Sequence, residues 1–98
     1  MDDKIALEWS RIPHFYYRYY VYQYATGYAA AIALSTRILE QGKSAVDDYL
    51  GFLSGGCSKT PIELLRMAGV DMASTAPVTA ALHRFDALVD ELATLLEE

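Results

Sequence analysis

An imidazole, His14, heads the densest run of phenols in this 98-residue chain, where seven of eight tyrosines fall within residues 16–28. A phenol brings a large apolar ring and one hydroxyl that needs a partner when buried. Leu, Ile and Phe supply packing volume without that need, so hydroxyls crowded beside an imidazole point to a surface that donates hydrogen bonds. Converging on a peptide carbonyl, such groups hold it and stabilise the oxyanion that develops there. Pro13 stiffens the backbone just ahead of them. None of these groups is an efficient hydrolytic centre alone, so they read as helpers to chemistry sited elsewhere. The same run has a plainer reading. Tyr20, Tyr24 and Tyr28 are four apart, and one helical face can bury all three as core or interface.

Other chemistries find less support. The two imidazoles, His14 and His83, form no His-x-x-x-His pair and no cysteines cluster, which is short of the three or four ligands zinc requires. No metal site is expected in the chain. His83 reads as a surface residue of the last helix. Cys57, in Gly55-Gly56-Cys57-Ser58, lacks the electropositive setting of a reactive thiol. As the single cysteine it makes no internal disulfide, and cytoplasm is the expected compartment. Arg11 and Arg18 flank the rings like a base-stacking platform, but a net charge of −5 and a pI near 4.8 oppose nucleic-acid binding. Met1-Asp2-Asp3-Lys4 has no apolar leader core. The apolar stretch at residues 21–34 is interrupted by Gln23, Thr26 and Gly27 and falls short of the ~20 residues of a span, so no membrane partner is expected.

The elements that must position His14 and the tyrosines read as helices, in one helical segment over residues 1–98. Residues 3–12 place Ile5, Trp9 and Ile12 at helical spacing, and Pro13 breaks the helix. The tyrosine run starts irregular and is helical by about Tyr20. A long helix then runs to Gln41, with Gly42 as a left-handed stop. Its middle, residues 28–34, is apolar on every side, which normally means buried on every side. A third helix starts near Ser44, with Ser44 and Asp47 as a capping pair. It buries Val46, Tyr49, Leu50 and Leu53, and ends at Ser54-Gly55-Gly56. Thr60-Pro61-Ile62-Glu63 opens a short fourth helix that closes at Gly69. In the last, residues 77–96, Val78, Leu82, Phe85, Val89, Leu92 and Leu96 form an a/d seam.

The fold class is therefore all-α, with about five helices, a long apolar central one and a long amphipathic C-terminal one. The hydrophobic share is 53%, above the usual 45–50% or so. A chain this short buries only a modest part of its surface, so a partner surface is expected. A second copy or the missing part of a larger protein would supply it.

Two longer motifs sharpen this. Ala6-Leu7-Glu8-Trp9-Ser10-Arg11-Ile12-Pro13-His14-Phe15-Tyr16 and Tyr20-Val21-Tyr22-Gln23-Tyr24-Ala25-Thr26-Gly27 closely resemble the C-terminal region of the oligoendopeptidase F group. That group sits in the thimet-oligopeptidase-like family of zinc metallopeptidases. The likeness continues through Ala30-Ala31-Ile32-Ala33-Leu34, Tyr49-Leu50-Gly51-Phe52-Leu53, Pro61-Ile62-Glu63-Leu64-Leu65 and Ala68-Gly69-Val70-Asp71-Met72. It implies an all-α enzyme several times longer, whose zinc is held by a His-Glu-x-x-His helix and a later glutamate. This sequence has no such motif. The resemblance thus implies the C-terminal part of a larger helical zinc metalloendopeptidase acting on short peptides, inactive alone, with the zinc held in the parent enzyme.

In the family, a histidine and tyrosines of this region hold the scissile carbonyl. Mapped by motif, the histidine is His14, and Tyr16, Tyr20, Tyr22 and Tyr24 are substrate-binding candidates. His14 and Tyr22 are those implied to stabilise the transition state, while Tyr17 and Tyr19 have no matched position. The implied partners are a short peptide and the missing N-terminal peptidase portion. The alternative is a stand-alone helical module that self-associates and catalyses nothing.

Overall fold

The computed structural model describes residues 3–97, and among these every regular element is helical. Met1 and Asp2, half of the residues on which the leader reading rests, lie outside it. Two 3₁₀-helices, Asp3–Arg11 and Pro13–Tyr16, precede four α-helices: α1 (Tyr22–Gln41), α2 (Lys43–Ser54), α3 (Pro61–Met67) and α4 (Ala76–Glu97). Helix α4 packs along α1, α2 against α1, and α3 against α2. The break expected at Ile12-Pro13 is present, with Ile12 extended at φ −88° and ψ 108°. Ahead of it the chain winds as 3₁₀ rather than α. No residue of that segment is buried, so no core packing favours the wider helix.

Helices α3 and α4 follow the expected pattern. Thr60 accepts from the Glu63 backbone N–H at 3.4 Å, while the Glu63 carboxylate accepts from the Thr60 N–H at 2.9 Å, with Pro61 in the first turn. The Thr60 hydroxyl also donates to that carboxylate at 2.7 Å, and this bond first, then the one from the Thr60 N–H, holds the Glu63 carboxyl below its ordinary range. At the other end Gly69, at φ +83°, lets the chain turn back. Its N–H donates to the Arg66 carbonyl at 3.0 Å and that of Val70 to the Leu65 carbonyl at 2.9 Å. This double closure satisfies carbonyls the helix leaves open.

Helix α2 starts and stops about where expected, at Lys43 and Ser54, but departs from expectation in its cap and its buried stripe. It begins at Lys43, a single residue after α1 ends, so Ser44 lies inside the first turn and makes no cap bond. Gly42 joins the two helices at φ 66° and ψ −133°, outside the left-handed helical region. The buried stripe is also rotated. Ala45 is buried, Val46, Tyr49 and Phe52 are partly buried, and Leu50 and Leu53 face outward. Phe52 stacks on Tyr49 at 6.2 Å, and that pair packs on the core formed by Leu34, Ala68 and Val70. The apolar middle of α1 is likewise covered on one side only: Ala29, Ala30 and Leu34 are buried, while Tyr28 and Ala31 are exposed.

A polar clamp holds these helices together. Arg37 of α1 donates to the Asp48 carboxylate on α2 at 2.9 Å, to the Gln41 side chain at 3.1 Å, and to the Ala68 carbonyl at the end of α3.

The molecule nevertheless exposes far more surface than its mass requires. Its accessible area is 8101 Å² for 10.9 kDa, where a compact monomer of that mass shows about 5,600 Å². The radius of gyration is 17.3 Å, against about 12.6 Å for a compact domain of this length. The excess, about 2,500 Å², is on the scale one partner contributes to a large obligate interface.

Two glycines should respond oppositely to alanine. A Cβ at Gly69 meets the Arg37 guanidinium and takes a positive φ, so Gly69→Ala should lower stability by about 1–2 kcal/mol. Gly27 lies inside α1 with open space around it, so Gly27→Ala should raise stability by about 0.5–1 kcal/mol. Thermal unfolding of the two variants against the parent chain measures both signs.

Candidate functional site

The rings of His14, Tyr17, Tyr20 and Tyr24 form a ladder. His14 lies 5.4 Å from Tyr20 and 6.2 Å from Tyr17 between ring centroids, Tyr17 lies 6.1 Å from Tyr20, and Tyr20 lies 5.9 Å from Tyr24. Backbone winding sets this order. Three-residue turns link the Tyr17 N–H to the His14 carbonyl at 3.4 Å and the Tyr20 N–H to the Tyr17 carbonyl at 3.3 Å. Tyr17 is extended between these turns, at φ −85° and ψ 125°, so two separate turns rather than one continuous 3₁₀-helix bring residues 14, 17 and 20 together. From Tyr22 the chain is α-helical, and the four-residue step carries the ladder on from Tyr20 to Tyr24.

Tyr19 makes the change of winding possible. It sits at φ +60° and is 82% exposed. A side chain in that region costs about 1–2 kcal/mol, so a local strain stands at the centre of the tyrosine run.

Within the ladder the Tyr20 phenol is held above its ordinary pKa of 10.0, first by its side-chain hydrogen bond with Tyr24, then by the Tyr24 charge, then by burial. This interaction favours the protonated form of Tyr20. The face of the ladder is open: His14 and Tyr24 are exposed, and Tyr20 is just over one-third exposed.

The other two candidates stand apart from this ladder. The Tyr16 hydroxyl donates to the Ser10 carbonyl at 2.5 Å, tying the second 3₁₀-helix back onto the first. Tyr22 and Tyr24 are two apart on α1, hence about 200° apart around its axis. Tyr22 accordingly lines a cavity of about 670 Å³ between α1 and α4, with Tyr28, Met72, Val78, Leu82 and Phe85. Tyr17 had no matched position in the motif, yet it stands between His14 and Tyr20. Its spacing of three from each was the available signal, and it becomes informative only once three-residue turns replace the α-helix.

Among the described residues, no three His, Cys, Asp or Glu side chains gather where a metal ion would sit, so the residues present do not fit a zinc centre. His83 is exposed on α4 and Cys57 is exposed in the α2–α3 connection. Among the described residues no helix is long and apolar enough to cross a membrane.

Comparison with known proteins adds an independent line. Residues 1–84 match the model of peptidase family M3. The chain is 59% identical to oligopeptidase PepF of Bacillus subtilis over 96 residues, covering 98% of this chain and 14% of that protein. It is 44% identical to the plasmid oligoendopeptidase F of Lactococcus lactis subsp. cremoris over 97 residues, 99% of this chain and 16% of that protein. Group B oligopeptidase PepB of Streptococcus agalactiae is 46% identical over 92 residues, 94% of this chain and 15% of that protein. The chain thus spans 14–16% of the length of these relatives. No solved structure gives a significant match.

The hydroxyl pair can be tested directly. Tyr24→Phe removes both the hydrogen bond and the neighbouring charge that raise Tyr20. Phenolate absorbance against pH should then show the highest-titrating tyrosine moving down toward its ordinary value. An unchanged titration curve would mean that the two hydroxyls do not interact.

Proposed function

The chain belongs to peptidase family M3, and we propose that it forms the C-terminal helical part of a zinc metalloendopeptidase that hydrolyses short peptides. The observation that carries this reading is the exposed ladder of His14, Tyr17, Tyr20 and Tyr24. The motifs that resemble the oligoendopeptidase F group include His14, Tyr20 and Tyr24 of this ladder, though not Tyr17. On this reading the metal centre belongs to the part of the parent enzyme outside this chain, because the carboxylates and imidazoles of the described residues do not gather.

What the chain supplies is hydrogen bonding. The His14 imidazole and the Tyr20 and Tyr24 hydroxyls present one rank of groups to an extended peptide, and Tyr22 presents another around the start of α1. An N–H or O–H that donates to the scissile carbonyl oxygen grips it more strongly as negative charge develops there, which lowers the barrier rather than merely tightening binding. Tyr16, bonded to Ser10 in the absence of substrate, is a substrate contact on this reading when its hydroxyl turns outward. The enzyme works in the cytoplasm, in keeping with a single cysteine. Its partners are a short peptide and the remaining peptidase polypeptide, with no role for nucleic acid or membrane.

A second reading takes the same exposed apolar surface as a self-association interface of a non-catalytic module. Its motivation is the excess area and the outward-facing seam of α4. A monomeric mass in solution counts against it, and a compact dimer supports it.

A chimera separates catalysis from structure, with this chain replacing the matching stretch of the Bacillus subtilis relative. The chimera should cleave a quenched peptide, and the isolated chain with added zinc should not. In the chimera, His14→Ala or Tyr22→Phe should lower kcat by about 10²–10³, with KM moving much less. Wild-type kcat in both variants would return the aromatic run to a packing role.

A further inference from the structure

Helix α4 runs well past its support. The cavity wall it shares with α1 ends at Phe85, and every residue from 86 to 97 is exposed. That free half is about 18 Å long and still carries an apolar stripe. Phe85, Leu88, Val89, Leu92, Leu95 and Leu96 recur three and four apart, with exposures from 44% at Leu88 to 78% at Leu96. A twelve-residue helix with nothing packed on it is marginal in water, so its stripe calls for a covering surface.

The flanking charges say what kind of surface fits. Residues 86–97 hold four carboxylates, Asp86, Asp90, Glu91 and Glu97, and no Lys, Arg or His. A second copy laid parallel would bring acid against acid, which is unfavourable at positions flanking a helical seam. A partner stripe bordered by Lys or Arg gains both burial and charge complementarity. The length of chain elsewhere in the family offers a source. The Bacillus subtilis relative aligns with 98% of this chain, and the chain covers only 14% of it. The free half begins where the match to the family model ends, at residue 84.

We infer that the exposed stripe of α4 at residues 85–96 docks an amphipathic helix whose apolar face is bordered by Lys and Arg, supplied by the peptidase polypeptide outside this chain. The inference rests on the functional reading above but concerns a surface that touches none of the ladder. Burying the stripe and its counterpart removes the loose end of α4 from water and fixes the direction of the helix that forms the wall opposite Tyr22.

Hydrogen exchange measured by mass spectrometry on the isolated chain and on the chimera tests it. Amides of residues 86–97 should exchange about 100-fold more slowly in the chimera, as expected for a helix that gains packing. The double substitution Asp90→Lys with Glu91→Lys should cut that protection about tenfold, on the scale of a few surface charge pairs reversed. Equal exchange in chain and chimera would overturn the inference. So would unchanged protection in the double variant, or a dimeric isolated chain already protected at residues 86–97, which would make a second copy the occupant. Peptide turnover reads the functional proposal separately. An active chimera with unprotected α4 sinks only the docking surface, and a protected but inactive chimera sinks only the peptidase role.

Discussion

The guanidinium of Arg37 is the joint on which the helical arrangement depends. It meets the carboxylate of Asp48 and the carbonyl of Ala68 with its two terminal nitrogens, and Gln41 with its Nε. These partners lie on α2, on the closing turn of α3, and on α1 itself. A cation that is three-quarters covered, as the Arg37 side chain is, is tolerated only where partners take its hydrogens. The arrangement also explains why Gly69 carries no side chain, since the guanidinium occupies that space. The apolar core beside it is small, built on Leu34, Ala68 and Val70. Orientation here thus comes from directional polar bonds as much as from burial.

Much of this was legible in the residues alone. Thr60-Pro61-Ile62-Glu63 starts a helix through local chemistry, with bonds that form within four residues whatever lies around them. Gly69 ends it for an equally local reason. The outer limits of α4 and the break at Pro13 belong to the same class. The all-α class and the family followed from pattern and motif.

The features that were not legible depend on distant contacts. In α2, two overlapping apolar stripes run along one helix, and nothing in Tyr49, Leu50, Phe52 or Leu53 says which will be covered. Contact with Leu34 and Val70 selects Tyr49 and Phe52 and leaves the leucines outside. Ser44 looked like a cap until the joint at Gly42 shrank to one residue and drew it into the helix. The aromatic ladder turned on a subtler point. Its members are three apart before Tyr20 and four apart after it, a change of period that a purely α-helical reading passes over. Tyr17 belongs to the ladder for that reason, while Tyr22 lines the cavity between α1 and α4.

The unspent surface of this chain also bears on its fate in a cell. With an excess of about 2,500 Å² left in water, the folded state is open to stabilisation by any surface that covers it, because whatever binds the folded form alone shifts folding by mass action. Left uncovered, leucines such as Leu95 and Leu96 are the kind of apolar surface that chaperones and proteases engage.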